Sequence, residues 1–314
     1  MASSTTANPS WRVSPTSGKK LAVVSDWGAF LGVRNGLISC YVGKELKWSA
    51  SPAELWAVVI TVTCSVSTEV VKICNEYGID LVFQDGNKPV ARILNAKYGG
   101  FMRVWTAQFK TRRRNDLAVA IVRGKIRNQV VTLRYYSKKY DEEEVKEAVS
   151  KMDEILERDL RDRKEALQAE AEAAKFYWRA VARLLPQALN FRGRKKRGAE
   201  DPFNVALNVG YALLRNVVWK AVINVGLNPY LSYLHKFRAG RPSLVLDLME
   251  EFRSPFVDRP LISSARQDPK KLSDLKSVYS LVLSSIREDE VFTQARKFVD
   301  SLVEGCEYRP FRAK

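Results

Sequence analysis

The chain has 314 residues, 46% of them hydrophobic and 28% charged, and a formal net charge of +17. That length supports two domains with separate cores, and the composition is that of a folded globular protein rather than a disordered or fibrous one. No apolar run reaches the roughly 18 to 20 residues that cross a bilayer: LWAVVITVTC is too short and NVVWKAVINVGL is broken by Lys220.

The opening MASSTTANPS lacks the basic start and apolar stretch of a signal peptide and reads as a flexible tail of a cytoplasmic protein. The next hundred or so residues read as β-rich. In KKLAVVSDWGAFLGVRNGLISCYVGKELKW, Asn35-Gly36 sits between two β-branched and aromatic runs, the strongest short hairpin signal. LWAVVITVTC is a buried-strand candidate. VSTEVVKICNEYG reads as a short helix that Ser67 caps and Gly78 closes. IDLVFQDGNKPVARIL returns to strand–turn–strand around Asp85-Gly86. The four cysteines show no CxxC spacing, which argues against a zinc cluster and for plain thiols in a reducing compartment.

From Phe101 the character changes, so the domain boundary is drawn between residues 1–100 and 101–314. The segment from Thr111 to Tyr140 has helical periodicity and heavy positive charge. Residues 141–185 predict two consecutive helices rich in Glu, Lys, Ala and Leu. A Gly-, Pro- and Arg-rich loop follows. FNVALNVGYALLRNVVWKAVINVG predicts a buried helix ending at Gly226, the next helix starts near Pro229 and carries His235, and PSLVLDLMEEF predicts a helix begun by Pro242 and ended by Pro255.

The candidate chemistry gathers around His235, the only histidine. Glu170 shares a predicted helix face with Ala173, Ala174, Tyr177 and Trp178; it is either a carboxylate kept on an apolar face for a purpose or one more surface glutamate in a Glu-rich helix. Asp247 and Glu250, at i and i+3, stack on one face, and their repulsion calls for a cation; Asp247 has the alternatives of capping backbone or pairing with Arg241 or Arg253. Glu251 and Glu172 read as solvated neighbours. One imidazole with carboxylates suits Mn²⁺, or Mg²⁺ with water completing the shell, and is a poor set for structural zinc. The basic excess points to a polyanion, nucleic acid above a lipid surface. Arg238 and Arg241, close to His235 in sequence, match phosphate oxygens; Arg194, Lys195, Lys196 and Arg197 form a loop cluster that is either a DNA contact or a solvated, targeting-like run. Tyr177 is grouped with the DNA contacts.

VSDWGAFLGVRNG, CSVSTEVVKICNEYGIDLVFQDGNKPVARI, GKIRNQVVTLR, EAEAAKFYWRA, DPFNVALNVGYALL and GLNPYLSYLHKFRAGRPSLVLDLMEEFRSPFVD run in order along the chain. Together they resemble the CRISPR-associated integrase and endonuclease, the first-numbered protein of CRISPR adaptation. The resemblance implies an α+β protein, with an N-terminal β-sandwich domain that serves dimerisation and an all-α C-terminal catalytic domain. It implies Glu170, His235 and Glu250 as metal ligands, with Asp247 as a neighbouring acidic residue. It also implies DNA strand transfer, in which a fragment's 3′-hydroxyl attacks a phosphodiester at a CRISPR repeat, and the partners of that reaction: double-stranded and branched DNA, a second copy of the chain, and the second CRISPR-associated adaptation protein. Ala171 and Ser232 stand where the family usually or often has Gly, and Glu250 where some relatives have Asp. Two other readings compete: a non-catalytic basic scaffold whose carboxylates pair with arginine, and a hydrolytic nuclease with His235 as acid or base.

Overall fold

The computed structural model describes residues 12–13, 20–85, 88–93 and 101–313. The tail expected over the first ten residues and Gly86 of the Asp85-Gly86 turn lie outside them. The chain divides into two compact units, Met1–Gly99 and Gly100–Lys314.

The first unit holds strands β1 (Arg12–Val13), β2 (Lys20–Val24), β3 (Phe30–Arg34), β4 (Leu37–Val42), β5 (Glu45–Ala50), β6 (Leu55–Ile60) and β7 (Ser65–Val66), helix α1 (Thr68–Tyr77), then β8 (Asp80–Asp85) and β9 (Lys88–Ile93). One sheet runs β1-β2-β6-β8-β9 and the other β5-β4-β3-β7. Their apolar faces share one core: Val24, Val58 and Leu81 come from the first sheet, Leu31, Ile38 and Cys40 from the second. β6 is parallel to both β2 and β8, which explains why its sequence is almost continuously apolar rather than alternating. Asn35 and Gly36 both have positive φ (52° and 74°), and they join Arg34 to its cross-strand partner Leu37, the two-residue turn that matches strand twist. Ser67 caps α1 by accepting from Val70 N at 3.3 Å, and Gly78 closes it at φ 64°.

The second unit is helical: α2 (Met102–Thr111), α3 (Asn115–Tyr140), α4 (Glu143–Glu157), α5 (Arg163–Leu184), α6 (Pro202–Asn224), α7 (Ser243–Arg253), α8 (Arg259–Gln267), α9 (Leu275–Ser285) and α10 (Glu288–Val303). The two helices expected over residues 141–185 are α4 and α5, and the second is capped by Asp162, which accepts from Glu165 N at 2.8 Å. α7 ends at Arg253, just before Pro255 as expected, but the chain does not leave the helical path. The chain passes through a π-helical turn, Ser254–Asp258, into α8; the wider turn accommodates a residue with no N–H to donate. The stretch between α6 and α7, which includes His235, is irregular rather than helical.

The segment after α10 lies across α3 and α7. Glu251 accepts from Tyr308 Oη at 2.6 Å and Phe311 N at 2.7 Å. Asn128 donates to the carbonyls of Glu251 (2.8 Å) and Phe311 (2.9 Å) and accepts from Ala313 N at 3.0 Å. Glu251 is therefore fully buried, not solvated as expected. Gly124 makes room for the segment, since a Cβ there would stand 2.5 Å from Pro310 Cβ. Gly124→Ala is expected to destabilise the helical unit by about 1–3 kcal/mol through this overpacking, read as a lowered denaturation midpoint; an unchanged midpoint would show that Pro310 moves aside freely.

Candidate active site

Three helices bring charge to one place. Glu170 sits at the edge of the buried stripe of α5 made by Ala166, Ala169, Ala173, Tyr177 and Ala180. Glu250 lies on the buried face of α7 and is 4% exposed. Between them stands Lys125 of α3, whose Nζ contacts Glu170 Oε1 and lies 2.7 Å from Glu250 Oε2. Arg253, one turn beyond Glu250, places Nε 3.0 Å from the same oxygen. Both cations hold this oxygen chiefly by Coulomb attraction, and neither contact meets full hydrogen-bond geometry. Burial alone would raise the Glu250 carboxyl; Arg253, Lys125 and His235 overcome it and hold the group well below the ordinary carboxylate range.

Asp247 is fully buried and spends its charge on the irregular stretch before α7. Its Oδ2 accepts from Tyr233 N (2.7 Å) and Leu234 N (2.9 Å), and its Oδ1 from His235 N (3.0 Å). The same Oδ1 meets His235 Nδ1 at 2.6 Å. Of the roles open to Asp247, this is backbone capping combined with imidazole orientation, while Arg253 pairs with Glu250 instead. With Nδ1 engaged, Nε2 is the ring nitrogen left for a ligand.

Tyr177, grouped with the DNA contacts, is fully buried. Its hydroxyl donates to Asp258 Oδ2 at 2.8 Å, while Tyr211 Oη donates to Oδ1 at 2.6 Å; a side chain so enclosed cannot meet DNA. Arg253 stacks over the Tyr211 ring at 4.5 Å, with Arg194 at 5.3 Å. Arg194 also donates to Asn204 (2.9 Å) and Asn208 (2.7 Å) of α6, which makes it a tether for its loop. Lys195, Lys196 and Arg197 are exposed, and Lys196 lies within electrostatic reach of Arg241, Arg253 and Glu250. Arg238 is exposed and Arg241 half-buried.

Sequence reasoning missed Lys125 and Arg253 as parts of the cluster. The signal for Lys125 was present: it is one cation on a helix stretch whose other members at helical spacing, Ile121, Val122, Asn128 and Gln129, are buried.

Among the described residues no group of three or more His, Cys, Asp or Glu is gathered tightly enough to hold a metal ion as it stands. The donor set nevertheless fits a hard divalent cation: Glu170 and Glu250 already grip a cationic group, Glu250 Oε2 is buried without a directed hydrogen bond, and the oriented His235 lies within electrostatic reach of Glu250. Two carboxylates and an imidazole suit Mn²⁺ or Mg²⁺.

A β-rich unit is followed by a helical unit that carries a carboxylate–histidine cluster among cations. Residues 22–287 match the family described as CRISPR associated protein Cas1, and the chain belongs to that family. It is 51% identical over 300 residues to the CRISPR-associated endonuclease Cas1 1 of Saccharolobus solfataricus, covering 94% of this chain and 85% of that one. Its fold is similar to that of a casposase bound to integration product (TM-score 0.74, 19% identity, 92% of each chain). It is also similar to a chain of a Cas6-RT-Cas1–Cas2 complex (TM-score 0.73, 17% identity, 94% of this chain and 36% of that one).

Asp247→Asn would set an amide N–H against backbone N–H donors and release the His235 ring. Activity on branched DNA is expected to fall about 10- to 100-fold, measured as turnover with folding checked by circular dichroism. Burial raises Asp258 from 3.8 to about 6, the Tyr211 and Tyr177 hydroxyls offsetting only part of it. A carboxyl raised in the folded state stabilises fully below 3.8, and that contribution is lost as pH rises to about 6. Asp258→Asn, neutral throughout, is expected to show a smaller fall in melting temperature across that window than the parent; parallel curves would contradict the assignment.

Proposed function

We propose that Glu170, His235 and Glu250 hold one divalent cation, Mn²⁺ or Mg²⁺, and that this Cas1-family endonuclease and integrase uses the site to insert short DNA fragments into a CRISPR array. The observation that carries the reading is the pair of carboxylates from separate helices drawn around a single cationic group, Lys125, beside an imidazole oriented by a buried aspartate. Bound there, the cation would offset charge developing on the phosphoryl and leaving oxygens.

The chain's own residues do the rest. Asp247 fixes the His235 ring so that Nε2 faces the ligand. Arg253 and Lys125 keep Glu250 ionised in a buried position, so that it remains an anionic donor. Arg238, Arg241, Lys195, Lys196 and Arg197 neutralise DNA phosphates around the site. In the forward reaction a P–O bond forms to the incoming 3′-oxygen and the bond to the departing 3′-oxygen breaks. The reverse reaction resolves branched DNA, and water as nucleophile gives endonuclease cleavage.

Inserting both ends of a fragment needs two such sites, which a homodimer supplies. The dimerisation role of the N-terminal unit rests on the family resemblance and is supported by its apolar surface: Phe30, Tyr41 and Leu46 stand opposite one another across β3, β4 and β5, with Phe30 and Leu46 exposed. The second CRISPR-associated adaptation protein, Cas2, is the further partner, by analogy with the Cas1–Cas2 complex of similar fold. No described helix is long and apolar enough to cross a membrane, and the cytoplasm, where the array lies, is the proposed compartment.

The test uses branched DNA and a repeat-bearing duplex with Mn²⁺. His235→Ala and Glu170→Gln are expected to lose joining and cleavage by at least about 100-fold, and to lose Mn²⁺ binding measured by calorimetry. A His235→Ala protein that binds Mn²⁺ and joins ends at the parent's rate refutes the ligand assignment. A parent that hydrolyses DNA but never joins a 3′-hydroxyl to a repeat leaves a simple nuclease.

A further inference from the structure

Two residues past His235 the chain presents Phe237 with 70% of its surface exposed. The backbone around it is not loose. Arg163 Nε donates to the carbonyl of Leu234 at 2.5 Å, and Ser232 Oγ to that of His235 at 2.6 Å. Asp247 holds the amides of Tyr233, Leu234 and His235. Beyond the ring, Arg241 N donates to Arg238 O at 3.0 Å, and Gly240 takes φ 71°, closing a tight turn of the type that needs a left-handed third residue. Ser243 Oγ lies 3.3 Å from Arg241 O, its hydrogen-bond acceptor. The fold thus fixes the main chain on both sides of an aromatic ring and leaves the ring in solvent, forgoing the stabilisation its burial would bring.

The ring's surroundings say what covers it. Lys236 and Arg238 flank it in sequence and are exposed, and Arg241 closes the turn half-buried. None of the three makes an ion pair with a described carboxylate. An apolar docking partner would meet unneutralised charge on every side, whereas a nucleic acid supplies both phosphates for the cations and a flat π-face for the ring. A fully stacked duplex offers no free base face, so the fitting occupant is an unpaired nucleotide of the kind found at a junction or a strand end.

We propose that Phe237 is a stacking platform for an unpaired nucleobase next to the phosphate under attack, with Lys236, Arg238 and Arg241 holding the flanking phosphates. The inference rests on the strand-transfer reading of the site and gives it a preference for branched over continuous DNA.

The full chain is titrated, in EDTA to prevent turnover, into branched DNA carrying 2-aminopurine at the unpaired position beside the junction phosphate. The parent is expected to quench the fluorescence on binding. Phe237→Leu, apolar but without a ring, should lose the quenching and bind branched DNA roughly ten-fold more weakly. Its melting temperature and its affinity for a continuous duplex of equal length should be unchanged, and Phe237→Trp should keep both quenching and affinity. A Leu variant that quenches and binds as the parent does, or that weakens both DNAs equally, overturns the proposal. The strand-transfer reading fails separately: a parent that shows ring-dependent quenching yet never joins a 3′-end in Mn²⁺ keeps the platform and loses the reaction.

Discussion

The Lys125 ammonium between Glu170 and Glu250 is the constraint on which the helical unit depends. Two carboxylates cannot be taken this far out of water without a cation between them. Because Lys125, Glu170 and Glu250 lie on α3, α5 and α7, meeting that demand fixes three helices relative to one another. Arg253 completes the balance: two negative side chains against two positive ones leave the cluster neutral inside a chain whose net charge is +17. The neutrality is local, so the surrounding surface remains free to act as a cationic field for DNA.

From this cluster the polar structure extends in two directions. Inward, Arg253 stacks on Tyr211, Tyr211 and Tyr177 share Asp258, and Tyr177 also meets Ser254 at 3.1 Å. Each group satisfies the next, which is the condition for a buried polar network to hold a fold in one arrangement. Outward, Asp247 gathers three consecutive amides and the His235 ring. A single aspartate thereby sets both the path of an irregular segment and the direction of the only imidazole. The exposed turn with Phe237 continues that same segment, so the residues that would meet DNA take their position from the core.

Much of this was legible in the sequence where the cause is local. Asn35-Gly36, the Ser67 cap and the Gly78 closure depend on residues a few positions apart, and each formed as the pattern required. Glu170 was visible because a carboxylate on an apolar helical face is costly, and Asp247 and Glu250 because two carboxylates stacked at i and i+3 call for a cation. What was not legible depends on distant partners. His235 left the expected helix because Asp247 and Arg163, from α7 and α5, hold the chain around it in an irregular path. Tyr177 moved from surface to core because Asp258 and Ser254 offer its hydroxyl acceptors. Glu251 became buried because residues 308–313 cover it, and no helical period in its own neighbourhood announces that.

That covering segment has a consequence for the order in which the enzyme is made. Phe311 closes onto Asn128 across 183 residues of chain and onto Glu251 across 60. Contacts of such separation form late, because the intervening chain must first be ordered. Gly124 and Glu251, the residues the segment clamps, are direct neighbours of Lys125 and Glu250. A growing chain can therefore bring the charged cluster together before the C-terminal segment adds its own clamp across α3 and α7. The last fastening of α3 to α7, through Asn128 and Glu251, is made by the final residues of the chain to be synthesised, Tyr308 to Ala313.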